Sequence, residues 1–145
     1  MDISLFQLTD TPLETMDLYQ GLRRPEAGAL VTFEGWVRNH NDGKTVTALE
    51  YEVFAGLCEK EGQNVLTEAL ERFDVLAARC VHRFGRLNIG EMAVWVGVCS
   101  AHRGVAFEAC RHIIDEIKHR LPIWKKEYYP DGHSGWVSCE GCRHS

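Results

Sequence analysis

The chain has 145 residues, of which 45% are hydrophobic and 26% charged, enough apolar material for one domain over 1–145 with a real core. Its formal net charge of −5 argues against a large nucleic-acid footprint, which needs a basic stripe over much of the surface, but leaves room for a local basic pocket. No apolar run approaches the ~18 residues of a membrane span, and MDISLFQLTDTPLE has neither the basic start nor the apolar stretch of a secretory signal.

In chain order, ISLFQL (3–8) alternates and predicts a strand. Thr11-Pro12 is expected to open a short helix through about Leu22, with Thr11 as N-cap and Pro12 at the first helical position. GALVTFEGWVR (28–38), rich in β-branched and aromatic residues, predicts a strand. NHNDGK then carries Asp42-Gly43, a strong hairpin signal, and TVTALEYEVF (45–54) is the return strand. A helix is expected over about 55–73, with Leu57, Val65, Leu66, Ala69, Leu70 and Phe73 at helical spacing. Strands over 75–84 and 91–100, joined by GRLNIG, precede a second long helix over about 102–120. That helix puts Ala106, Phe107, Cys110, Ile113, Ile114 and Ile117 on one face, takes Ser100 as N-cap and is ended by Pro122. A short strand is expected around Trp136 and Val137. Hairpins rather than strict strand–helix alternation predict an α+β fold with mostly antiparallel sheet.

Of the six cysteines, Cys58, Cys80, Cys99 and Cys110 fall in apolar periodic segments and read as buried small hydrophobes. Without an export signal a reducing cytoplasm is the expected compartment. Cys139 and Cys142 form one CxxC without a second pair, a weak metal signal, so no resident metal or cofactor is expected.

The chemistry-bearing residues are basic. In SAHRGVAFEA, His102 and Arg103 sit at a helix N-terminus, where cations are electrostatically misplaced unless an anion binds there or their side chains simply reach solvent. Lys118 lies at the edge of the apolar face of the same helix, either turned to water or into a pocket. Beyond Pro122 the chain is extended, so Lys125 and Lys126 face opposite ways, with Trp124 on the side of Lys126. Which of the two sides is a pocket is open at this level. Arg38 ends a strand at GWVRNH. Guanidinium and imidazolium groups can fix a phosphate. A lysine near other cations loses proton affinity and can serve as nucleophile or acid/base near neutral pH. No nucleophile elbow, phosphate-binding GxxxxGK[ST] loop or dinucleotide fingerprint is present.

The strings VRNHN, SAHR, AFEA and PIWKKE, in this order and spacing over roughly 28–137, resemble the MoaE family, the large catalytic subunits of molybdopterin synthase. The resemblance implies an α/β-hammerhead-type α+β fold with two long helices, and a homodimer. It also implies a small ubiquitin-like (MoaD-like) sulfur-carrier partner at each end, giving a heterotetramer. The carrier's C-terminal Gly-Gly tail arrives as a thiocarboxylate. Its sulfur passes to cyclic pyranopterin monophosphate (precursor Z), and two rounds build the dithiolene of molybdopterin in molybdenum cofactor biosynthesis. By the same resemblance Lys118 and Lys125 are catalytic and contact substrate. Arg38, His102 and Arg103 form the site for substrate phosphate, and Glu127 orients a lysine. Trp124 is then expected to anchor its segment in the core while Lys125 reaches the pocket. Some relatives place an arginine, lent to the neighbouring subunit's pocket, a few residues beyond the tail tryptophan; here Glu140 stands about there and the nearest base is Arg143. Two other functions fit the same residues: a lysine-dependent lyase on a phosphorylated carbonyl compound, and a non-catalytic anion-binding scaffold.

Overall fold

The computed structural model describes residues 4–137 as two four-stranded sheets, a two-stranded ribbon and two long helices. The strands are β1 (Ser4–Thr9), β2 (Ala29–Trp36), β3 (His40–Asn41), β4 (Lys44–Thr45), β5 (Ala48–Val53), β6 (Ala77–Arg83), β7 (Gly85–Asn88), β8 (Met92–Ser100), β9 (Ile123–Tyr128) and β10 (Ser134–Val137). The helices are α1 (Ala55–Arg72) and α2 (Arg103–Arg120), each of 18 residues. Among the described residues only β1 and β6 pair in parallel; the other pairs are antiparallel, as the α+β expectation requires.

The first sheet runs β1-β6-β8-β2. Its central strands β6 and β8 are buried along their whole length because both faces of the sheet are covered. On one face Cys80, Val94 and Val96 meet α1 and α2 through Val65, Leu66, Ile113 and Ile117. On the other, Val81, Trp95 and Cys99 pack under Leu13, Leu18 and Leu22. This two-sided burial is why MAVWVGVCS reads as one unbroken apolar run. Gly62 lets α1 lie close to β1: a Cβ there would enter the ring of Phe6. Cys58, Cys80, Cys99 and Cys110 are buried and free, as expected. Cys139 and Cys142, with Glu140 and Arg143, lie outside the described residues.

Several expectations change. Thr11 to Leu22 is not a helix but one 3-10 turn, Leu13–Thr15, followed by irregular chain. Arg79 of β6 supplies the reason. Its Nη1 donates to the carbonyls of Asp17 and Leu18 at 2.7 and 3.0 Å, taking acceptors that a helix would use internally. Burial of Leu13, Leu18 and Leu22 then fixes the segment to the sheet. The Asp42-Gly43 turn is present, with φ of 49° and 79°, but it closes only the ribbon β3–β4. The return strand does not pair with β2: β5 joins the second sheet, β10-β9-β5-β7, whose last strand comes from the supposed link GRLNIG. The residue capping α2 is His102, not Ser100; the Ser100 hydroxyl instead donates to the His102 carbonyl. Phe107 and Leu57, assigned to apolar faces, are 60% and 55% exposed.

Candidate active site

Alternation along β9 decides what the sequence left open. Ile123 and Glu127 are buried, and Lys125, of the same parity, is drawn in with them. Pairing with β5 sets Val53 opposite Ile123, Tyr51 opposite Lys125 and Leu49 opposite Glu127. Lys126 turns outward, its Nζ 5.5 Å from the ring centres of Tyr128 and Trp136. Trp124 shares its parity and therefore does not anchor the core. It is 42% exposed and meets Phe54 edge-on at 5.5 Å.

Lys125 opens into a cavity of about 130 Å³ where the second sheet meets the C-terminal end of α2 and the strand ends of the first sheet. Lys118 enters from α2, Trp36 from the end of β2, His82 from β6 and Tyr51 from β5, over a floor that includes Ile114, Ile117 and Ile123. Burial lowers the proton affinity of Lys125, and the charges of Lys118 and Arg38 lower it further, against the opposing pull of Glu127 and Asp42. Arg38, just beyond β2, thus acts on the same cleft from its exposed rim.

Three neutral or anionic groups line the cations. The Nδ1 of His82 lies 2.8 Å from the Arg83 carbonyl. A carbonyl only accepts, so Nδ1 carries the proton and Nε2 is left as the acceptor. Burial, aided by the charge of Lys118, holds the ring neutral down to about pH 4. Tyr51 meets His82 edge-on at 5.3 Å, and burial with the charge of Glu127 pushes its phenol up to about 12. Glu127 is 3% exposed. Its Oε2 accepts from Asn41 Nδ2 at 2.8 Å and its Oε1 from the Tyr129 hydroxyl at 2.9 Å.

The structure thus brings together Arg38, Lys118, Lys125 and Glu127. It does not bring His102 and Arg103 to them within one chain. Those two sit exposed at the opposite end of α2, beside a hollow shared with Gly28 and Ala29. Fifteen residues of helix put Arg103 roughly 22 Å from Lys118 along the axis. Sequence reasoning missed Asn41, Tyr51, His82 and Tyr129. Tyr51 had a usable signal, its place in the alternation of LEYEV; the other three depend on pairings that no local pattern shows.

Among the described residues no helix is long and apolar enough to cross a membrane. The family profile described as "MoaE protein" matches residues 8–120. A Thermoplasma volcanium protein named "Molybdopterin synthase catalytic subunit" is 45% identical over 130 residues, covering 90% of this chain and 95% of its own. An Escherichia coli protein of the same name is 46% identical over 114 residues, 79% of this chain and 75% of its own. Among solved structures, molybdopterin synthase from Staphylococcus aureus superposes with a TM-score of 0.84 at 35% identity, over 92% of this chain and 96% of that one. A Helicobacter pylori complex of subunits 1 and 2 of molybdopterin-converting factor shares the fold, with a TM-score of 0.73 at 19% identity over 94% of this chain and 91% of that one. This chain belongs to the MoaE family.

Proposed function

We propose that this chain is the catalytic subunit of a molybdopterin synthase, working in the cytoplasm. It moves sulfur from the C-terminal thiocarboxylate of a small ubiquitin-like carrier to cyclic pyranopterin monophosphate. The observation that carries this reading is Lys125, half-buried in a cleft with Lys118 and Arg38 and weakened as a base by all three circumstances. A narrow, largely apolar cleft suits an extended Gly-Gly tail, which has no side chains to accommodate. Lys118, exposed at the cleft wall, is placed to polarise the carrier's terminal carbonyl. Lys125 exchanges the protons that move as sulfur bonds to the pterin side chain. In each round the acyl–sulfur bond of the carrier is cleaved by water, whose oxygen stays on the carrier as carboxylate while sulfur stays on the pterin, where each new C–S bond replaces a C–O bond: one oxygen leaves on the phosphate as its ring opens, the other as water. Two carriers supply the two sulfurs.

The separation of His102 and Arg103 from the lysines supports a homodimer in which each cleft is completed by the other copy. β2 is an edge strand, with Ala29 beside the His102 and Arg103 hollow and Trp36 beside the lysine cleft. Its outward side chains Leu30 and Trp36 are 40% and 66% exposed. Eight extended residues span roughly 23 Å, close to the length of the intervening helix. Antiparallel pairing of β2 with β2 of a second copy would set the partner's basic hollow next to this copy's lysines, for the pterin phosphate to bind between. A carrier on each cleft then gives a heterotetramer.

Reconstitution tests both statements. Dithiolene is expected only when the carrier is thiocarboxylated; product from a carboxylate carrier would refute the sulfur transfer. Lys118→Ala protein and His102→Ala/Arg103→Ala protein, each inactive at low pterin concentration, should recover turnover when their subunits are exchanged, because one site of the mixed dimer is intact. Clefts complete within one chain would show no recovery.

A further inference from the structure

Asn41 has no part in the reading above, yet its side chain joins two residues that do. Its Nδ2 donates to Glu127 Oε2 at 2.8 Å, across 86 positions of sequence. Its Oδ1 accepts from Arg38 Nη2 at 3.4 Å. Asn41 is held for this by its backbone. It lies on β3, paired with Lys44 across the tight Asp42-Gly43 turn, so the amide projects from a short, constrained ribbon. Glu127 is the inward, buried carboxylate of β9, and its remaining oxygen is taken by the Tyr129 hydroxyl.

The chemistry of the position is selective. A guanidinium only donates and a carboxylate only accepts, so a side chain between them must offer one acceptor and one donor at fixed spacing. A primary amide does this without adding charge. An aspartate would present acceptors to the Glu127 carboxylate and would neutralise Arg38 as an anion site. We propose that Asn41 is a positioning residue: its amide clamps the Arg38 guanidinium to the Glu127 carboxylate, so the rim cation and the charge facing Lys125 are held as one unit. For what that unit acts on, the proposal rests on the function proposed above; the clamp itself does not.

The consequence is that Arg38 is aimed by the second sheet rather than by its own strand. β2 ends at Trp36, and the β3–β4 ribbon spans only His40 to Thr45. The contact to Glu127 is a side-chain hydrogen bond that ties this ribbon to β9, beside the bonds that Thr47, just past the ribbon, gives to the Tyr128 carbonyl. Releasing it should loosen the grip on a phosphate more than it loosens the fold.

Three measurements read the clamp. With inorganic phosphate as probe and the Arg38 Nε–H resonance as reporter, Asn41→Ala should need at least threefold more phosphate for half-saturation; an unchanged titration overturns the proposal. In the reconstituted complex the same variant should raise KM for the pterin by a similar factor while product still forms; unchanged KM with lowered thermal stability would mean a structural role only. For the Glu127 half, Asn41→Asp should lower Tm, and Asn41→Asp/Glu127→Gln, which swaps amide and carboxylate, should regain most of the loss. No regain overturns it. If the parent complex formed no dithiolene while the phosphate and Tm results held, the sulfur-transfer reading would fall and the clamp would stand.

Discussion

The two ends of α2 carry basic residues in opposite settings. The last turn holds Lys118, His119 and Arg120, where the helix dipole favours cations. Arg120 is taken up by Glu61, Glu68 and Glu116 at 3.3, 2.7 and 3.3 Å, tying α2 to α1. Lys118 is in no ion pair among the described residues and faces a cavity with a second lysine. At the other end Arg103 and His102 stand against the dipole, exposed, beside an open hollow. Burial and the neighbouring charges of Lys118 and Arg38 weaken Lys125 as a base, with Lys118 exposed at the cleft wall, whereas the N-terminal pair faces solvent with no enclosing wall. An enclosed group tunes chemistry; an exposed one recruits ligand. The difference predicts different kinetic signatures for the two ends.

Lys118→Ala should give the largest effect. If Lys118 polarises the carrier's terminal carbonyl as proposed, its loss is expected to lower kcat by about a thousandfold, roughly 4 kcal/mol, with circular dichroism unchanged. Arg103→Ala should mainly raise KM for the pterin, by about tenfold or ~1.4 kcal/mol, and leave carrier affinity as it was. Steady-state kinetics on both variants decides. If Arg103→Ala abolished carrier binding with pterin affinity intact, the two ends would not divide the work as their settings suggest.

Acid stability separates the ends in a second way, because only the cleft buries a titratable ring. In the unfolded chain His82 takes a proton near its ordinary 6.5; in the folded chain, buried and facing Lys118, it resists until about 4. Tyr51, Lys125 and Lys118 are the other titratable groups lining that cavity. Between the two values the unfolded state binds more protons, so stability is complete above about pH 6.5 and declines as pH falls toward 4. The loss amounts to roughly 3 kcal/mol. Denaturant midpoints at pH 7 and pH 4.5 should therefore converge in His82→Gln, which has no proton to take up. Equal acid sensitivity in the variant would place the titration elsewhere.

What the sequence made legible follows the range of the forces involved. α1 and α2 are written in helical periodicity and the buried strands β6 and β8 in short apolar runs, and their bounds came within a few residues. The pairing partner of β5 is not, because alternation in LEYEV says which side chains share a face but not which strand lies alongside. The Thr11 helix failed for a similar reason: cap and proline signals are local, and Arg79, 62 residues from Asp17, outcompetes them. At the site, Lys118 and Lys125 were reached through motif strings, while Trp124 was misplaced inward although the parity argument already set it beside Lys126. Asn41, though inside the string VRNHN, was given no role because its meaning lies in a bond to Glu127, which no spacing rule connects.

The smallest effect tests the cleft's electrostatics most directly. Lys125 titrates below the usual lysine range because it is buried and because Lys118 and Arg38 repel its proton, while Glu127 and Asp42 favour it. Removing charges one at a time should therefore move the Lys125 limb of kcat/KM against pH in opposite directions. Glu127→Gln takes away an attraction and should shift the limb to lower pH. Arg38→Gln takes away a repulsion and should shift it to higher pH. Each displacement should be under about one pH unit, since each partner acts across a partly hydrated cleft where screening weakens charge–charge coupling. Arg103→Gln, at the far end of α2 in its own chain, becomes the discriminating variant. With clefts complete within one chain it leaves the limb in place. With the second copy's Arg103 seated across β2, it shifts the limb upward as Arg38→Gln does, and by less in high salt. Glu127→Gln and Arg38→Gln moving the limb the same way would mean that neighbouring charges do not set the basicity of Lys125, and burial alone would have to account for it.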